Sequence, residues 1–318
     1  MKERKAFVSL LALALFFLFL GLNPVNSEAK EKYEEKFAKT VSLAKNGKVE
    51  LKNISGDIDV KTWDSAEVKI DALKISRAGI IEQAKENAKR VEIVVEEEGK
   101  ILRISTKYPK TIGRQSVNVS VDYHLTIPAG AEIEAESVSG DIAFENIGGK
   151  AEAETVSGDI NVMKADKGVK CKSVSGDLEL KDIIHYAYLK SVSGDIALKG
   201  ISGSVEAKTV SGDIKLEDVS KAKVVESETV SGEIIYQGEI NPDGRYKLKS
   251  HSGDVKMTLP SDSAFDLEAK TFSGSIECGF EIIFSGKIER MELKGRVNAG
   301  GADLMLKTFS GDIVLKKR

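Results

Sequence analysis

Two cysteines, one tryptophan, five prolines and three histidines are all that 318 residues contain of those types. Two thiols cannot staple a disulfide framework, so the fold must rest on packing and hydrogen bonding. Aromatic residues make up only 6% against a hydrophobic content of 41%, which predicts a thin, aliphatic core. An excess of one charge is missing too: 47 basic against 50 acidic residues leave a net charge of −3. Residues 115–244 contain no arginine at all. Nothing here makes a footprint for a phosphate backbone, so nucleic acid is not an expected partner.

Catalytic signatures are also lacking. There is no His-Glu-x-x-His, no Gly-x-Ser-x-Gly, no phosphate-binding glycine loop and no Cys-x-x-Cys. His124, His185 and His251 fall at unrelated positions of the chain's repeat and read as turn or strand residues rather than bases. The sequence therefore predicts a protein without catalysis, cofactor or metal. A polysaccharide-active enzyme on a β-helix is the less favoured alternative.

Long apolar runs occur once. "MKERK" is a basic start, "AFVSLLALALFFLFLGL" an apolar stretch, and small residues follow at Ser27 and Ala29. Residues 1–29 read as an export signal, either removed or kept as an anchor. No cysteine follows to carry a lipid, and no later stretch suits a spanning helix. The expected location is outside the cytoplasmic membrane: periplasmic, cell-surface or secreted. Membrane contact is expected only through that first segment.

What the chain does contain is a repeat. Ser-Gly pairs start at Ser139, Ser157, Ser175, Ser193 and Ser211, eighteen residues apart, and continue at Ser231, Ser252 and Ser273 at intervals of 20, 21 and 21. An early copy is "NISGDIDV" at Asn53, and a closing one is "TFSGDIVL" at Thr308. After each corner, apolar residues alternate with polar ones, as in Ile160 and Val162, then Leu178 and Leu180. A second alternating stretch carries Ala153, Cys171, Leu189 and Ala207 in register, and one apolar residue (Ile147, Ala165, Ile183, Ile201, Val219) lies between the two. Period two means strands with one buried face. Two or three short strands per eighteen residues, repeated in register, predict an all-β parallel β-helix, a β-solenoid whose coils stack about 4.8 Å apart. The crossover rule favours a right-handed winding. Residues 136–318 form this repeat. Residues 30–135 read as a β-rich lead-in continuous with it, with one short helix near 79–90 that presents Ile80, Ile81, Ala84 and Ala88 on one face.

The order "NISGDIDVKTWD", then "VDYHLTIPAG", then serial "SVSGDI" and "TVSGDI" coils resembles a bacterial family long carried as a domain of unknown function and now labelled putative adhesin. The similarity covers about residues 38–318. It implies a β-solenoid of the cell envelope and brings no catalytic residues. The helix-bearing insert near residue 85 departs from the pattern, as do Ser275 and Lys287, which replace the corner Asp.

Two rows are candidate sites. Asp141, Asp159, Asp177, Asp195 and Asp213 stack one per coil. They are either turn residues accepting backbone hydrogen bonds, the favoured reading, or a cation ladder. Val138, Val156, Val174, Val192, Val210 and Val230 form the second row, which His251, Phe272 and Phe309 continue. Residue preference predicts that the corner bends to bury them; strict alternation would instead expose an apolar stripe suited to a partner. The expected role is binding or scaffolding, with a glycan or envelope polymer as partner. Self-association through the coil ends is the alternative, because "GDIVLKKR" closes the chain without an evident cap.

Overall fold

A computed structural model describes residues 30–109, 117–284 and 291–318. The export segment and the Lys287 copy lie outside the described residues. Among the described residues twenty-five strands join in one hydrogen-bonded network that is not closed into a barrel. Each coil of the repeat contributes to two rows of strands, one before and one after its Ser-Gly-Asp corner. In the coil from 142 to 157, Ile142–Ile147 lies in the second row and Ala151–Ser157 in the first.

Alternation explains the core directly. Along the first row, Val49, Ile133, Ala151, Val169, Ala187, Val205, Val225 and Tyr246 stack in one inward column, and all are buried. Ile58, Ile142, Ile160, Leu178, Ile196, Ile214 and Ile234 do the same in the second row. The single apolar residue between the strands is buried too: Ile147, Ala165, Ile183, Ile201 and Val219. A left-handed backbone residue precedes each of them, at Asn146, Lys164, Asp182, Gly200 and Asp218. That residue makes the second corner of the coil. All-β solenoid architecture is thus borne out.

From residue 132 to 252 chain order and spatial order coincide. At both ends they do not. The strand Lys48–Lys52 lies between Ile101–Lys107 and Glu132–Ser139, parallel to both. Its continuation Ile58–Trp63 lies between Val119–Pro128 and Ile142–Ile147. At the other end, Ala302–Lys307 is inserted between Arg245–Ser252 and Phe265–Lys270, and Ile313–Lys317 between Val255–Leu259 and Ile276–Cys278. The closing copy is therefore not the end of the stack, and an exposed terminal "GDIVLKKR" edge is corrected. Both of its strand edges are paired, which a lone edge strand would leave open for aggregation.

Antiparallel strands close the first row instead. Glu92–Glu98 pairs with Ile101–Lys107, and Glu292–Val297 with Phe265–Lys270. In the second row Glu31–Ser42 and Glu67–Ala78 are antiparallel neighbours, and Glu67–Ala78 runs antiparallel to Val119–Pro128. The helix is Ile81–Lys89 and packs on those two strands. It buries Ala84, Asn87 and Ala88, while Ile80, expected on its inner face, precedes the helix and is exposed. Cys171 and Cys278 are both free thiols; burial pushes the pKa of each upward.

Candidate functional site

The Ser-Gly-Asp corner is a set of hydrogen bonds between coils. The Gly158 N–H donates to the Ser175 carbonyl at 3.1 Å, and Gly176 repeats this with Ser193 at 3.1 Å. Glycine is needed there because of close approach: a Cβ on Gly176 would lie 2.0 Å from the Gly158 carbonyl oxygen, with φ at +154°. The aspartate serves the same stacking. Oδ1 of Asp141, Asp159, Asp177 and Asp195 accepts the N–H of the next coil's corner acid, Asp159, Asp177, Asp195 and Asp213, each at 2.8 Å. Asp213 in turn accepts from the Glu233 N–H at 2.7 Å. Each carboxylate thus bonds across a coil boundary, not within its own turn.

The substitution at Ser275 follows from position. In spatial order its corner comes after Asp312, which accepts both the Ser275 N–H at 2.7 Å and its hydroxyl at 3.0 Å. These bonds hold the Asp312 carboxyl below its ordinary pKa. Among the described residues no further corner follows Ser275 in the row, so no acceptor is required of it. No group of three or more His, Cys, Asp or Glu side chains among the described residues is placed to hold a metal ion.

The valine row faces outward, and the expectation of burial is corrected. Val138, Val156, Val174, Val192, Val210 and Val230 are about half exposed. The reason sits one residue earlier. Thr209 Oγ1 donates to the Gly194 carbonyl at 3.1 Å, Thr229 to Gly212 at 3.1 Å, Ser250 to Gly232 at 3.0 Å and Thr308 to Gly253 at 2.9 Å. In these coils the inward slot carries a hydroxyl that bonds the neighbouring coil's corner carbonyl, so the next side chain turns out; Ser137 holds the same slot before Val138 without such a bond, and Asn53 fills it before Ile54 with an amide donor. Val230 and its equivalents have nowhere else to go.

The row is longer than the valines. Ile54 adds a rung at its N-terminal end, since Ser55 bridges Ser139. At the other end the inserted coil sets the order as Val230, His251, Phe309, Phe272, not the sequence order. The His251 and Phe309 rings stack with centroids 5.0 Å apart at 14°, and Phe309 and Phe272 at 4.7 Å and 5°. Phe309 is thus sandwiched between the other two rings, and all three residues remain exposed. Ten rungs at ~4.8 Å make a continuous apolar ladder about 43 Å long.

Beside the ladder runs a groove of about 780 Å³. One wall is the valines from Val138 to Val210. The other is the charged column Lys52, Glu136, Glu154, Lys172, Lys190 and Lys208, with the buried Ser and Thr row beneath. Lys52 pairs with Glu136 at 2.9 Å, Lys172 with Glu154 at 2.6 Å, and Lys208 with Glu228 at 3.7 Å. The Lys172 ammonium holds the Glu154 carboxyl below its ordinary pKa. Lys190 lies over the Tyr188 ring at 4.6 Å.

The histidines are dispersed. His124 lies 2.9 Å from Asp59 in an exposed pair, His185 sits at a positive-φ position, and His251 is in the ladder. Sequence reasoning named nine of the ladder residues and left out Ile54, although it occupies the valine's place in "NISGD".

Geometry of this kind defines a non-globular class: an all-β solenoid with chemically repeated faces and one apolar edge. Residues 47–239 and again 238–316 match the pattern of the Toastrack DUF4097 family, and the chain belongs to that family. No functionally curated protein matches the sequence. Among solved structures, a protein from Bacteroides fragilis described as a putative adhesin is 12% identical, with a TM-score of 0.42 over 89% of this chain and 97% of that one. A cell adhesion protein from Clostridium sporogenes, also described as putative, is 11% identical, with a TM-score of 0.24 over 90% and 100%. A third, from Parabacteroides distasonis and described as a putative lipid binding protein, is 13% identical, with a TM-score of 0.35 over 89% and 97%.

Proposed function

We propose that the chain is an exported, non-catalytic binding protein of the cell envelope, and that the apolar ladder is its contact surface. One observation carries this reading. Ten outward apolar or aromatic side chains stand in a single unbroken line, the nine hydrophobic ones with exposures from 42% at Ile54 to 63% at Phe272, where a soluble solenoid would gain from polar residues. Straight, repetitive and bordered by lysines and glutamates, the line suits an extended glycan or similar envelope polymer.

Capture of the purified protein on isolated cell-wall material tests it. Val192→Asp and Phe309→Asp are expected to abolish capture, while Met163→Asp, exposed on the second row, leaves it intact. Capture that ignores all three substitutions would refute the assignment of the surface.

End-to-end assembly is a second reading, supported by the strand Ile276–Cys278, whose one strand partner among the described residues is Ile313–Lys317. The other end argues against it, because Glu31–Ser42 and Glu92–Glu98 are edge strands rich in charge.

A further inference from the structure

We infer that the aliphatic part of the ladder docks a second copy of this chain, antiparallel, about a two-fold axis through Val174. The inference rests on the ladder being a contact surface and adds a second occupant for it, so the weak dimer and an envelope polymer compete for the same rungs. Seven rungs are aliphatic, Ile54, Val138, Val156, Val174, Val192, Val210 and Val230, and Val174 is their centre. Reversing one copy about that centre sets Ile54 against Val230, Val138 against Val210 and Val156 against Val192.

The charged column beside the ladder then becomes self-complementary. Lys52 meets the second copy's Glu228, Glu136 meets Lys208, and Glu154 meets Lys190; each pairing occurs twice. The Lys52–Glu136 ion pair of one copy is laid head-to-tail on the Glu228–Lys208 pair of the other. Only Lys172 faces itself, and each Lys172 carries its own Glu154 at 2.6 Å. The next column outward brings Glu134 opposite Glu206, Glu50 opposite Glu226 and Lys170 opposite itself, but each is already paired within its own chain: Glu134 with Lys48, Glu206 with Lys208, Glu50 with Arg103, Glu226 with Lys247 and Lys170 with Glu152. Rim charges of this kind fix register more than affinity, and the valines supply the burial. Seven rungs span about 29 Å at ~4.8 Å per coil, a strip smaller than the ~800 Å² per partner of a standard interface. The dimer is therefore weak and reversible, and the aromatic rungs His251, Phe309 and Phe272 lie beyond the aliphatic overlap.

Cysteine cross-linking of the exported protein in a Cys278→Ser background tests the register. Val174→Cys is expected to form a disulfide dimer by itself, since only the axial rung meets its own copy. Val138→Cys is expected not to, being about 19 Å from its equivalent, well beyond the ~7 Å that a disulfide tolerates. Mixing Val156→Cys with Val192→Cys restores cross-linking. In sedimentation, Lys190→Glu should weaken the dimer about tenfold, and adding Glu154→Lys to the same chain should restore it. A chain monomeric at hundreds of micromolar, self-cross-linking as efficient at Val138→Cys as at Val174→Cys, or no rescue by the double reversal would each overturn the inference. Cell-wall capture that survives such a result leaves the binding reading standing; loss of both defeats both.

Discussion

Residues 132–252 and the two flanking regions are built from the same corner, yet they wind by different rules. In the middle, each coil stacks on the coil that follows it in the chain. At the ends, the copies at Asn53 and Thr308 are sandwiched between coils that come later or earlier in sequence. The difference shows that the repeat specifies a coil's shape but not its neighbour. Inward columns are chemically alike from coil to coil, so any coil can stack on any other, and connections of the flanking segments decide which do.

Removing residues 299–318 is the harshest way to break this comparison. It takes away Leu304, Leu306, Ile313 and Leu315, all buried, from between two coils. Four such side chains represent about 6–10 kcal/mol of burial, so loss of cooperative unfolding at the C-terminal end is expected by calorimetry and hydrogen exchange. Deleting Ser175 to Val192 from the serial middle removes nearly as many residues and should leave a cooperatively folded protein, because every column closes in register. Equal damage from the two deletions would show that the inserted coil has no special place.

A smaller effect separates glycines of the two regions. Gly176→Ala drives a Cβ into the Gly158 carbonyl and should cost about 3 kcal/mol or more in denaturant unfolding. Gly99, in the N-terminal hairpin, also has positive φ at +61° but meets nothing within 4 Å. Gly99→Ala should cost only about 1 kcal/mol. A reversed ranking would mean that the corners can spread without loss.

Smallest is the contribution of the corner carboxylates. Asp177→Ala removes the acceptor for the Asp195 N–H and should cost about 1 kcal/mol in an exposed setting, whereas Asp177→Asn keeps an oxygen there and should cost a few tenths. At the end of the row, Ser275→Ala loses only a hydroxyl donated to Asp312 and should be close to neutral. A melting temperature that rises by several degrees with millimolar calcium, and no longer does so in Asp177→Asn, would make the row a cation site instead.

Much of the molecule was legible in advance because alternation and turn chemistry are local. Ile160, Val162 and Ala165 announce a buried face, and Gly158 announces a corner, from their immediate neighbours alone. The orientation of Val156 was not legible. Its preference for burial points inward, while the half-buried Gly140 carbonyl of the preceding coil, 3.5 Å from Thr155 Oγ1, gives the inward slot to the hydroxyl. Such a carbonyl is a neighbour only after stacking. The same holds for the Asp159 carboxylate, whose partner is the N–H of Asp177, eighteen residues on.

By itself, then, the sequence determined the coil: its strands, corners, inward columns and the eighteen-residue step. Only the tertiary structure decided the order of coils at the ends, the aromatic sequence His251, Phe309, Phe272, and the outward turn of the valines. Strand faces follow from side chains within a few residues, but strand partners follow from long-range pairing between edges that look alike, and in a repeat those edges carry almost no label of their own.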